Sequence, residues 1–113
     1  MFIIDDNNIF LTRGDTAEFG LDVVNEETGE PFDYSECLTE FTVKQSAFTE
    51  DIVIQKTFTD GIVKINPEDT EGLPYQTLKF DVQIITPEND VYTVMSDCDF
   101  TLMKEENFRV TRT

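Results

Sequence analysis

The sequence predicts an all-β protein, an antiparallel sandwich of about seven or eight strands in the immunoglobulin-like class. Three observations carry that expectation. Apolar and polar residues alternate over most of the chain, as they do in strands with one wet face. Turn-forming residues recur about every 8–12 positions, the spacing of a sandwich. No stretch sustains a helical period.

The best-defined strand is Leu78-Lys79-Phe80-Asp81-Val82-Gln83-Ile84-Ile85. Leu78, Phe80, Val82 and Ile84 point one way, and Lys79, Asp81 and Gln83 point the other. Four large apolar groups on one face mark it as the central strand over a core. Ahead of it, Asn66-Pro67-Glu68-Asp69-Thr70 combines a capping residue, a proline at the first helical position and acids in the first turn. That combination predicts one short helical turn over 67–71, punctuated by Gly72 and Pro74.

The other elements follow in order. Ile9–Thr12 reads as a short first strand after the polar lead-in Asp5-Asp6-Asn7-Asn8. Gly14 supplies a tight connection. Ala17, Phe19, Leu21 and Val23 alternate with polar or small residues as a second strand, and Asn25–Pro31 is a charged turn. Phe32-Asp33-Tyr34 crosses an end of the fold. Cys37, Thr39, Phe41 and Val43 line the core side of a third strand. Ile52–Phe58 is a fourth, and the turn pair Asp60-Gly61 predicts that Ile62–Ile65 returns beside it as a hairpin. After the central strand, Thr86–Asp90 is a turn. Val91–Met95 returns antiparallel, and Cys98, Phe100 and Leu102 form a last strand.

The chain of 113 residues reads as one domain, with a core over 8–103 and terminal arms at 1–7 and 104–113. That length buries roughly two-thirds of the unfolded surface without disulfide staples. Hydrophobic residues make up 39% and include ten Phe, which argues against general disorder. No apolar run approaches the roughly 20 residues of a membrane helix. Met1–Asp6 turns acidic at once and lacks the basic start of a secretory signal.

Charge and missing residue types exclude function classes. The chain carries 24 Asp and Glu against 8 Lys and Arg, a formal charge of −16. Such a surface repels phosphate backbones and anionic lipid, so neither nucleic acid nor membrane is expected as a partner. The sequence contains no His, which removes the usual general base and imidazole metal ligands. Cys37 and Cys98 have no metal-ligand spacing and are expected to be reduced. No cofactor is called for, and no catalytic centre is expected.

The ordered set Leu11-Thr12-Arg13-Gly14-Asp15-Thr16, Gly29-Glu30-Pro31-Phe32-Asp33, Phe41-Thr42-Val43-Lys44, Gln55–Gly61, Pro67–Leu73 and Phe80-Asp81-Val82-Gln83 resembles the immunoglobulin-like domains of tailed phages and prophages of Gram-positive bacteria. In particular it resembles the N-terminal domain of the baseplate upper protein. The resemblance runs from about Ile9 to Leu102 by order of elements. It implies a non-enzymatic structural module of a phage tail or baseplate. It also implies synthesis in the bacterial cytoplasm without a signal peptide, a place in the virion, other tail proteins as partners and self-association. Such domains usually have an aromatic residue at the start of the strand after the helical turn. Here that position holds Leu78, so a tyrosine-corner bond is not expected there.

Several smaller signals have bland and sharp readings. Arg13-Gly14-Asp15 matches an integrin-read tripeptide, but three residues match by chance too often, and the segment has a structural job joining two strands. Glu68, Asp69 and Glu71, with Asp97 and Asp99, offer oxygen ligands for Ca²⁺. Their spacing fits no EF-hand loop, and solvated acids account for them. An adhesion or carbohydrate-binding sandwich is the alternative function, and it needs Tyr34, Tyr75 and Tyr92 clustered on one face. Phe2, Ile3, Ile4, Phe108 and Val110 either finish edge strands or reach a neighbouring subunit by strand addition. Arg109 and Arg112, in the one locally basic segment, complement an otherwise acidic body.

Overall fold

The computed structural model describes residues 2–46 and 51–104. Among them are eight strands and one short helix: β1 (Phe2–Asp5), β2 (Asn8–Thr12), β3 (Ala17–Gly20), β4 (Leu38–Lys44), β5 (Ile52–Thr57), β6 (Ile62–Ile65), α1 (Pro67–Glu71), β7 (Gln76–Ile85) and β8 (Val91–Met103). Six strands form one sheet in the order β1-β2-β8-β7-β4-β5, and β3 pairs with β6 in a second, smaller sheet. All pairs are antiparallel except β2 with β8, which run parallel. The fold is the expected all-β sandwich, with a mixed large sheet.

β7 occupies the interior of the large sheet, between β8 and β4. Its expected inward set, Leu78, Phe80, Val82 and Ile84, is buried. Register carries that face across the sheet: Phe41 of β4 sits opposite Val82 and Val43 opposite Phe80. On the other side Phe100 of β8 faces both Leu78 and Ile9. Because strand side chains alternate with a period of two, one correct register aligns every core residue at once. The small sheet closes the core with Ala17 opposite Ile65 and Phe19 opposite Val63. Phe19 bridges the two sheets, edge-on to Phe41 at 5.5 Å and to Phe58 at 6.2 Å between ring centroids. Phe41 in turn meets Phe80 and Phe100. Offset and edge-to-face ring pairs add about 0.5–1.5 kcal/mol each beyond their buried area.

Three expectations are corrected. First, β6 does not return beside β5. Asp60 and Gly61 both adopt positive φ, and Thr59 and Ile62 exchange backbone hydrogen bonds as a tight turn requires. The chain uses that turn to cross between sheets, so β5 stays on β4 while β6 joins β3. Second, β3 ends at Gly20, and Leu21 and Val23 lie in a loop instead of extending the strand. Third, Phe2–Asp5, assigned to an amino-terminal arm, pair in full with Asn8–Leu11, so Phe2, Ile3 and Ile4 finish an edge strand, the first of their two expected readings. The remaining interface candidates Phe108, Arg109, Val110 and Arg112 lie outside the described residues.

The last two expected strands are one, β8. Its register against β7 shifts twice, so that Phe80 faces Cys98 whereas Val82 faces Met95. Asp97 takes a positive φ of 54° within this bulge. Bulged residues bend a strand and re-aim the side chains beyond them. The bulge thus changes which β8 residues, from Met95 back to Val91, face the interior.

Candidate functional site

One end of the sandwich is tied down by polar contacts. Thr12–Asp15 forms a turn, closed by a hydrogen bond from Asp15 N to Thr12 O, in which Gly14 has a φ of 84°. That left-handed position suits glycine, which has no Cβ to clash. The Gly14 amide donates to Thr70 Oγ1 at 2.8 Å in the interior. The Arg13 guanidinium donates to Leu73 O (3.1 Å) and to Tyr75 Oη (2.9 Å), and lies 4.2 Å from the Tyr75 ring centroid. Arg13 of the Arg-Gly-Asp tripeptide is therefore engaged with its own fold.

The acidic candidates are also committed to local structure. In α1, Asp69 accepts the Asn66 amide at 2.7 Å and pairs with Lys56 at 2.8 Å. Asp97 and Asp99 flank Lys79 on the outer face of the large sheet, and Asp99 accepts its ammonium hydrogen bond. That hydrogen bond, outweighing partial desolvation and reinforced by both carboxylates, raises the Lys79 pKa above its ordinary value. Among the described residues no group of three or more metal-ligating side chains comes together, and Glu68, Asp69 and Glu71 form no such cluster.

The three tyrosines do not share a face. Tyr75 stacks on Arg13 at the Met103 end, and Tyr92 sits opposite Ile84 near the other end of β7. Tyr34 is half-buried, and its hydroxyl donates to Leu21 O. Burial, with the nearby Asp22 carboxylate, raises its pKa. The sequence reading weighed Tyr34 as one of three aromatics of a binding face, and the structure gives its hydroxyl a backbone partner instead. It holds the loop after β3 against the segment before β4.

That loop forms the wall of an open groove of about 1510 Å³. Its floor is the inner face of the large sheet at the β7–β8 turn end, including Val82, Ile84, Val94 and Met95. Its wall includes Leu21, Val23, Val24 and Phe32. A small hairpin shapes the wall: Val24 bridges Pro31, Asn25 N donates to Glu30 O, and Phe32 N donates to Val23 O. Among the described residues the second sheet has two strands, and β3 stops at Gly20, which leaves the groove open. Seven carboxylate residues line it and, among the described residues, no Lys or Arg does. The exposed apolar groups that line it include Val24 (58%), Tyr92 (54%), Ile4 of the β1 edge (48%) and Phe32 (38%).

The second exposed feature is the edge of the large sheet. β1 ends the strand order, and Ile3 and Ile4 are 45% and 48% exposed. A terminal strand presents a row of backbone groups that another chain can pair. Of the interface candidates from the sequence, Phe2, Ile3 and Ile4 thus lie together on this edge. Phe2 turns inward to contact Phe19 at 5.7 Å. The groove was not foreseen, because it depends on where β3 stops. Comparison with protein-family models, with curated proteins and with solved structures finds no match for this chain.

Proposed function

We propose that this protein is a non-enzymatic structural module of a phage or prophage tail or baseplate, working through contacts with other tail proteins and with copies of itself. The observation that carries this reading is the pair of exposed docking features on a well-packed sandwich, the β1 edge with Ile3 and Ile4 and the apolar groove beneath the Val23–Phe32 loop. Exposed apolar surface rimmed by polar residues is a common mark of a contact site. The polar clusters elsewhere are consumed by caps, turns and ion pairs, which suits a scaffold. The sequence resemblance supplies the virion context, and with it the virion as the site of residence.

Co-expression with the structural proteins encoded beside it provides the test. A tail module co-purifies with a tail or baseplate protein, and substitution of Ile3 and Ile4 by Lys weakens that capture. Failure to associate with any neighbouring structural protein, while the chain remains folded, would refute the assignment. The adhesion or carbohydrate alternative loses its motivating feature, since Tyr34, Tyr75 and Tyr92 are scattered.

A further inference from the structure

The groove has a chemical signature that narrows its occupant. Its floor is apolar and its rim is acidic, with Asp22, Glu26, Asp33, Glu88 and Asp90 among its seven carboxylates and, among the described residues, no cation to balance them. At about 1510 Å³ it exceeds the roughly 300–1,000 Å³ of a typical small-molecule pocket. A peptide segment with apolar side chains and flanking positive charge is the complementary shape and charge. A second copy meeting it through another acidic surface would be repelled, given the charge of −16 per chain.

This chain contains one segment of that chemistry, Phe108-Arg109-Val110-Thr111-Arg112-Thr113. Phe108 and Val110 are two residues apart, so an extended segment would turn both toward one surface. The segment cannot reach the far end of its own groove, where Glu88 and Asp90 form the acidic rim. β8 runs back along the groove and carries the chain away from that rim, from Tyr92 at its mouth to Met103 at the opposite end. Eleven residues of strand span about 36 Å, whereas the four steps from Lys104 to Phe108 reach at most about 14 Å.

We propose that the groove receives the Phe108–Thr113 segment of a second copy, joining protomers head to tail. This rests on the reading of the protein as a self-associating structural module and specifies the contact. Phe108 and Val110 enter the apolar floor, and Arg109 and Arg112 meet the carboxylate rim. Such a contact is heterologous: each protomer offers one groove and one tail. It closes into a ring or continues as a filament, depending on the rotation between copies.

The test uses full-length chains and complementary lesions. One variant carries Phe108→Asp and Arg109→Glu; the other carries Val24→Glu and Tyr92→Glu, both at exposed side chains. Sedimentation velocity is run on each chain alone and on an equimolar mixture. The wild-type chain is expected to associate, and each variant alone to lose at least about tenfold in association constant. The mixture is expected to regain a one-to-one dimer, because it retains one intact groove and one intact tail. Wild-type association in either variant, or no complex in the mixture, overturns the inference. If both variants assemble as the wild type does, protomers join elsewhere and the structural-module reading stands. A wild-type chain that stays monomeric overturns the inference, and if it also captures no tail protein, the functional reading falls with it.

Discussion

The Gly14 amide donates a 2.8 Å hydrogen bond to Thr70 Oγ1, joining two residues 56 positions apart inside the protein. The bond locks the turn between β2 and β3 onto α1, while Arg13 next to it clasps Leu73 and Tyr75. Since β3 starts from this turn, the placement of the small sheet over the core depends on it. Thr70→Val keeps the shape but removes this buried hydrogen bond, at a cost of about 0.5–1.5 kcal/mol. Thr70→Ser keeps the acceptor and should retain most of that stability. Urea unfolding of the two variants separates the hydrogen bond from packing.

Thr39 behaves in the opposite way. It is 2% exposed, and its hydroxyl has no hydrogen-bond partner. It sits in the inward row of β4 opposite Ile84. Thr39→Val replaces a desolvated hydroxyl with a methyl group of the same shape and should stabilise the fold by about 1 kcal/mol. A gain of that size corresponds to a rise of about 4–8 °C in Tm at this chain length.

Phe41 is fully buried, and its ring touches Phe19, Phe80 and Phe100. It connects the two sheets, so Phe41→Ala should cost about 3–5 kcal/mol. Phe41→Leu should cost less, because it retains most of the volume. Denaturant midpoints at unchanged slope would establish that the loss is one of stability and not of the folded state's compactness.

Tyr34 gives a pH signature. Burial and Asp22 raise its pKa above the ordinary value of 10.0. A raised folded-state pKa means that the neutral hydroxyl's contribution is complete below pH 10. It is lost as pH rises from there through the folded value. Lys79, also raised, acts in the same direction above its ordinary 10.5. Stability should therefore fall in alkali, and Tyr34→Phe should flatten the Tyr34 part of that decline while lowering stability at neutral pH. Thermal unfolding across the alkaline range reads both effects.

Cys98 should react slowly with thiol reagents at neutral pH, because burial and the carboxylates of Asp97 and Asp99 raise its pKa. Both cysteines are free. Cys98 is level with Phe80 and Cys37 adjoins Leu38, which is level with Ile85, so the two are separated by about 17 Å along the strands. That is far beyond the reach of a disulfide. Oxidation of the isolated chain should yield no faster-migrating species on a non-reducing gel.

The parts of the fold legible in the sequence were those set by local chemistry. Alternation in Leu78–Ile85 fixed both the strand and its buried face, and Asn66-Pro67 with Asp69 marked α1 to its residue boundaries. Sheet membership was not legible. Asp60-Gly61 specifies a turn, and the turn formed, but whether the next strand stays in the same sheet is decided by core packing around Phe58 and Phe19. The β8 bulge was hidden for a related reason. Ser96-Asp97 reads as a break between two strands, whereas Asp97 takes up the extra residue within one. The groove follows from these tertiary choices, in particular from β3 ending at Gly20, so no motif could announce it. Its acidic rim was visible only as part of the overall charge.

The most direct test of the central claim, that this chain works by assembling, is the mass of the full-length protein in solution by light scattering at low and moderate salt. The account predicts a mass that is a multiple of the 113-residue chain. Salt should weaken the association, because arginines meet carboxylates, without abolishing it, because apolar surface is buried. A single-chain mass at every concentration and at both salt levels would contradict it.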